Sequence, residues 1–209
     1  MYVLPQIALQ RVIQNGISVM KENPALLDYI FDSYNKSMMS DDYGPAYVAK
    51  IKAWFLETKI PAVQAWSYNV QTMPQISIKL ANESEDESKA SMGDFLMNGD
   101  THNVGVGVFN VSLDIGIHAR KDSDEVLWLY YIISYILFTS KRTAEGLGLY
   151  LQTFSASDYS RENGKLPDNT WVRWIRFNCT VHNLFLQDPH LTIDEISSTI
   201  KASSTNEDC

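Results

Sequence analysis

The sequence predicts an α+β fold: an antiparallel β-sheet packed by one long buried helix, in the order β-β-α-β-β, with N-terminal helices. Three observations predict it. Apolar residues recur at a helical period through the first seventy residues. From residue 73 the period falls to two, the spacing of half-buried strands. Between two pairs of such strands stands Val126 to Phe138, an apolar run broken only by Ser134. Antiparallel strands with a helix laid across their apolar face form a two-layer domain.

In chain order, Ile7, Leu9, Val12, Ile13, Gly16, Ile17 and Met20 trace one face of a first helix. A second is expected in "ENPALLDYIFDSY". There Asn23 serves as cap, Pro24 takes the first helical position, and Leu26, Leu27, Ile30, Phe31 and Tyr34 form the apolar face. A third starts after "YGP" and presents Val48, Ile51, Trp54 and Phe55, and Pro61 closes the region. "PQISIKL" alternates Ile76, Ile78 and Leu80 with Ser77 and Lys79, as a strand does. "ANESEDESKASMGD" reads as a solvated acidic loop.

"VGVGVFNVSLDIGIHAR" is a long strand with Val111, Leu113, Ile115 and Ile117 on one face. Ser112, Asp114, Gly116 and His118 take the other. Val104, Val106 and Val108 fall in the opposite phase, which places a bulge or bend near Phe109. The apolar run follows. As a helix it rises about 20 Å, short of the roughly 30 Å of a hydrocarbon core. Its flanks suit a helix in protein: Ser123 as cap, Asp124 and Glu125 at the positive end, Lys141 and Arg142 beyond the other, with an end near Gly146. Tyr130, Tyr131 and Tyr135 each need a partner for the hydroxyl when buried, too many for a lipid-facing segment. One side of this helix meets the sheet. The other needs the N-terminal helices or a neighbouring subunit.

"LYLQTFSASD" is a short strand and "RENGKLPDN" a turn-rich loop. "WVRWIRFNCTVHNLFL" is a second long strand, with Ile175, Phe177, Cys179 and Val181 inward and Arg176, Asn178, Thr180 and His182 outward. The expected organisation is a helical segment 1–66 packing on the core, an α+β core 67–186, and a polar tail 187–209.

Hydrophobic content of 45% and charged content of 20% suit a folded soluble protein. A net charge of -8 gives no basic field for nucleic acid or anionic lipid. Cys179 and Cys209 make no disulfide framework, and the N-terminus reads as no secretory leader, so a reducing cytosol is expected. His102, His118, His182 and His190 have no metal-ligand spacing, although His118 and His182 can be cross-strand neighbours on the sheet's polar face. "GVGVF" and "EGLGLY" lack a nucleotide-loop fingerprint. Ser155 and Ser157 lack a nucleophile-elbow context. No catalytic constellation, metal or cofactor is expected. The remaining excess is aromatic. Trp171 and Trp174 fall on opposite faces of the last strand, interleaved with Arg173 and Arg176, a composition typical of protein interfaces and of single-strand nucleic-acid platforms; the net charge of -8 favours the protein interface, and core packing stays open for Trp171.

The stretch "PAVQAWSYNVQTMPQISIKLANESEDESKASMGDF", then a long strand, "DEVLWLYYIISYIL" and a closing strand pair, resembles the neck and tail-terminator proteins of tailed bacteriophages. Pro74, Ile76, Ile78, Glu83, Glu85, Gly93 and Asp94 carry the resemblance, which covers roughly residues 60 to 186. The helical N-terminal segment departs from the minimal family pattern, which leaves a neck-adaptor role open. The resemblance implies a non-enzymatic virion protein: a ring of identical subunits, usually six, that ends the tail tube or sheath and meets the head connector. DNA passes through its lumen without specific binding, and no membrane is involved. On this reading Trp171, Arg173, Trp174 and Arg176 serve subunit or partner interfaces, and Glu83, Glu85, Asp86 and Glu87 line the lumen. Two other readings stay open: a small intracellular enzyme with its site near His118 and His182, and a monomeric adaptor working through its N-terminal helices.

Overall fold

The computed structural model describes residues 4–32, 44–64, 73–86, 95–97, 103–120, 122–158 and 170–187. Helices α1 (Pro5–Glu22), α2 (Leu26–Ile30) and α3 (Pro45–Glu57) come first. Strands β1 (Ala62–Gln64), β2 (Gln75–Glu85), β3 (Phe95–Met97) and β4 (Asn103–Ala119) follow. Helix α4 (Ser123–Thr139), the short α5 (Lys141–Gly146), and strands β5 (Leu149–Asp158) and β6 (Trp171–Gln187) complete the order. The sheet runs β1-β2-β4-β6-β5, with β3 pairing β4. The chain divides into two compact units, one of residues 3–83 and 110–181, the other of residues 1–2, 84–109 and 182–209. The larger unit therefore takes residues from both sides of the expected 66/67 division.

The α+β class expected from the sequence is the one found, with a mostly antiparallel sheet packed against helices. The sheet is mixed because β1 runs parallel to β2, Ala62 opposite Ile76 and Gln64 opposite Ile78. Sequence reading has no strand at β1, since three residues are too few to show a period. The amides of Gln10 and Gln14 on α1 donate to the Ala62 carbonyl at 2.8 and 3.1 Å, so a helix covers this edge strand. In the smaller unit, β3 is antiparallel to β4, and the Asp86 N–H donates to the Val108 carbonyl at 2.8 Å.

The expected helical faces are the buried ones. Leu9, Val12, Ile13, Ile17 and Met20 of α1 are buried, as are Val48, Ile51 and Phe55 of α3. On the strands, Val111, Leu113, Ile115 and Ile117 are buried, and so are Ile175, Phe177, Cys179 and Val181. Val108 and Val111, three positions apart on β4, are both buried.

Four local expectations are corrected. Asn23 closes α1, its N–H donating to the Val19 carbonyl at 2.9 Å, and α2 starts only at Leu26. The α4 cap is Asp122, not Ser123: its carboxylate accepts the Asp124 N–H at 3.0 Å and adds a full charge at the positive helix end. The residues Ala81 to Glu85 continue β2, exposed as far as Ser84 and half-buried at Glu85, where a loop was expected. A solvated strand carries no apolar alternation to read. Helix α4 also stops at Thr139, and Lys141 and Arg142 open α5.

Helices α1 and α2 pack on α4, so the N-terminal segment covers part of its second side. A Cβ at Gly16 would collide with the Ile136 side chain, including Cγ1 at 2.9 Å. Gly16 is thus what lets the α1 and α4 backbones approach. Burial of α4 is not complete: Leu127, Tyr131 and Phe138 stay exposed at 43, 44 and 71%, spaced as one helical stripe. Of its tyrosines, Tyr131 is exposed and Tyr130 and Tyr135 are half-buried. Gly16→Ala should cost about 1–3 kcal/mol in urea unfolding through overpacking, and much less in an Ile136→Ala background. Equal costs in both backgrounds would place the strain elsewhere.

Candidate functional site

The helices occupy one face of the sheet, so chemistry has to be sought on the other. The strand period puts Ser112, Asp114, Gly116 and His118 of β4 on that face, with Trp174, Arg176, Asn178 and Thr180 of β6. Ser157 pairs with Trp174 and Ser155 with Arg176 across β5 and β6. Ser77 and Lys79 join them from β2.

Near the Gly116 end the face is sealed. His118 is 4% exposed and Ser77 3%. The Ser77 hydroxyl lies 2.8 Å from His118 Nε2, and the His118 ring meets Trp174 edge-on at 5.8 Å. All three converge on Gly116, where a Cβ would sit 2.6 Å from both Nε2 and the Ser77 hydroxyl and 2.8 Å from the Trp174 ring. Burial lowers the His118 pKa from 6.5 to about 4, so the imidazole is neutral near pH 7. A serine beside a neutral imidazole has the polarity of a nucleophile and its base. Here a substrate cannot reach it, because both groups are covered. The arrangement ties β2 to β4 and props Trp174 outward.

Farther along, the face opens. Lys79, Asp114, Ser155, Ser157, Trp174 and Arg176 line a groove of about 410 Å³. Arg176 donates through Nε to Asp114 Oδ1 at 2.9 Å and through Nη2 to Oδ2 at 3.3 Å. The hydrogen bond to Asp114, then its charge, raises the Arg176 pKa above its ordinary value, so the guanidinium is always cationic.

The expected interface quartet is divided. Trp171 and Arg173 belong to the helix face, where the Arg173 guanidinium lies 4.2 Å over the Tyr130 ring. Trp171 is 41% exposed at the start of β6. Trp174 and Arg176 belong to the open face. Among the acidic residues, Glu83 and Glu85 stand on β2 and Asp86 follows it, while Glu87 lies outside the described residues. His118 is not on an exposed surface as expected: Trp174 and Ser77 enclose it. His182 is exposed and belongs to the other unit. Burial pushes the Cys179 thiol up to about 12, which leaves it unreactive. Sequence reasoning missed the Ser77–His118 contact. Its signal is Gly116, a glycine inside a central strand where side chains crowd the backbone.

Among the described residues no group of three or more His, Cys, Asp or Glu side chains could hold a metal. No described helix is long and apolar enough to cross a membrane. Comparison with protein-family models and with curated proteins finds no match.

Between pH 6.5 and 4 the unfolded chain takes up a proton on His118 that the folded chain refuses. Stability from this residue is therefore complete above pH 6.5 and lost as pH falls towards 4, by about 3 kcal/mol. Chemical denaturation of wild type and His118→Gln across that window checks it. The variant should lack this part of the slope, whatever its absolute stability.

Proposed function

We propose that the chain is a self-associating, non-enzymatic structural subunit of the tailed-phage neck or tail-terminator type. It closes into a ring, of six in the family pattern, at the end of a tail tube or sheath, faces the head connector, and lets DNA pass without specific binding. One observation carries the reading. The central helix keeps an uncovered apolar stripe, Leu127, Tyr131 and Phe138, beside an edge strand with its own apolar side chains. Phe138 meets the Phe154 ring of β5 at 4.8 Å, and Leu151 is 66% exposed on the same strand. Contiguous apolar surface of this kind marks a contact with another chain. Among the described strands β5 stands at the edge of the sheet, and an edge strand is a second, directional means of joining.

Ring closure requires that one surface of each subunit meet a different surface of the next. The β5 edge with the α4 stripe supplies one such surface. The open sheet face, which presents Asp114, Trp174 and Arg176, supplies a chemically different one. The sealed Ser77–His118 pair favours this reading over an enzyme on the sheet face.

Native mass spectrometry with negative-stain imaging tests the proposal: closed multimers are the expected result. Phe138→Asp with Leu151→Asp should shift the population towards monomer while the circular-dichroism spectrum stays unchanged. A wild-type monomer at every concentration would instead favour the single-partner adaptor.

A further inference from the structure

Leu151 is held in a conformation that suits another residue. Between the pairs Tyr150–Thr180 and Thr153–Asn178, β5 passes two residues, Leu151 and Gln152, where β6 passes only Cys179. The extra residue makes a β-bulge. Leu151 takes it up at φ 49°, and among the described residues no other side-chain-bearing residue has a positive φ. That region crowds Cβ against the backbone and is the province of glycine and asparagine. Hydrogen bonds fix the bulge: the Gln152 amide donates to the Leu149 carbonyl at 2.7 Å and to the Lys141 carbonyl at 3.2 Å. The Leu151 side chain gains little from its own fold in return, since it is 66% exposed. A bulge on an edge strand re-aims a side chain, and this one aims an apolar group at solvent. Strain of this kind is typical of positions that serve function.

A receptor for such a side chain exists at the other edge of the same sheet. Thr58, Lys59, Pro61, Val63, Met73 and Pro74 line a cavity of about 370 Å³ beside β1. Four of the six are apolar, and Pro61, Val63 and Met73 are half-buried, so the lining is reachable from outside. Val63 is in register with Ser77, which puts it at the β1 margin of the open face. Leu151 cannot enter this cavity in its own chain. Strands β2, β4 and β6 stand between β1 and β5, four strand spacings or about 19 Å. Both features belong to the larger unit, so every copy of the chain carries an apolar knob at one edge and an apolar hole at the other. Leu151 also continues the apolar surface of β5 and α4 described above.

We propose that Leu151 of one subunit inserts into the cavity lined by Pro61, Val63, Met73 and Pro74 on a second copy of this chain. The contact is head to tail, the kind that a ring requires. It rests on the self-associating reading above and gives that association its direction: the β5 edge inserts, and the β1 margin of the open face receives.

Leu151→Gly and Leu151→Asn test it, because both residues suit a positive φ. Sedimentation velocity on the full chain should show association weakened about tenfold or more, with melting temperatures unchanged or raised. A lower melting temperature in both variants means that the side chain serves its own fold, and overturns the proposal. Cross-linking in a Cys209→Ser background reads the direction. Coexpressed Leu151→Cys and Val63→Cys chains should give disulfide-linked dimers under oxidation, and neither chain alone should do so. Dimers from Leu151→Cys alone mean a symmetric contact and overturn the insertion. If wild type assembles and either the Leu151 variants assemble as well or the paired chains fail to cross-link, the insertion falls and self-association stands. If wild type stays monomeric at every concentration, self-association falls and the insertion falls with it.

Discussion

The structure depends on one constraint, the need to bury a helix that is apolar almost all the way round. A sheet can cover only one side of α4. The second side falls to α1 and α2, and this is why a helical segment precedes the strands. The fit is close enough that a single absent side chain, at Gly16, sets how near α1 comes to Ile136. Interiors packed at crystal-like density transmit such details, so the N-terminal helices are part of the core.

The start of α4 shows how polar groups are accommodated in that packing. Asp124 and Glu125 suit the helix dipole, yet Glu125 is buried. The Trp54 indole donates to Glu125 Oε1 at 2.9 Å, the Tyr47 hydroxyl donates to Asp124 Oδ2 at 3.2 Å, and the Trp128 indole donates to that hydroxyl at 2.9 Å. Two donors of this set come from α3. The hydrogen bonds that make the carboxylates tolerable therefore also fix where α3 docks, and the Lys50 ammonium 5.6 Å over the Trp128 ring adds a cation on the same side.

Period was legible in the sequence, and register was not. The buried faces of α1, α3, β4 and β6 follow from spacing alone, because a buried stripe constrains every third, fourth or second residue. Asn23, Ser123 and the acidic segment misled for a related reason. Short polar residues suit several local roles, and only the neighbouring geometry decides among them. The candidate site was half legible. Alternation assigns Trp171 with Arg173 and Trp174 with Arg176 to opposite faces. It cannot say that β2 brings Ser77 to His118, which depends on the pairing of residues some forty apart. His118 was assigned to the right face, but what lies over a face is a matter of neighbours, and Trp174 comes from another strand.

The two faces of β6 explain why one strand can serve two purposes. On the helix side, Arg173 spends its charge on the Tyr130 ring and helps anchor the strand to α4. On the open side, Asp114 holds Arg176 without covering it. The same residue type is thus structural at one position and available at the next but two, and the difference lies in what each guanidinium faces. Arg173 faces an aromatic ring within the fold. A single, mostly buried carboxylate orients Arg176 and leaves its outer edge to water. Of the four interface candidates, Arg176 is the one whose side chain is oriented by a carboxylate on the open face and still 57% exposed.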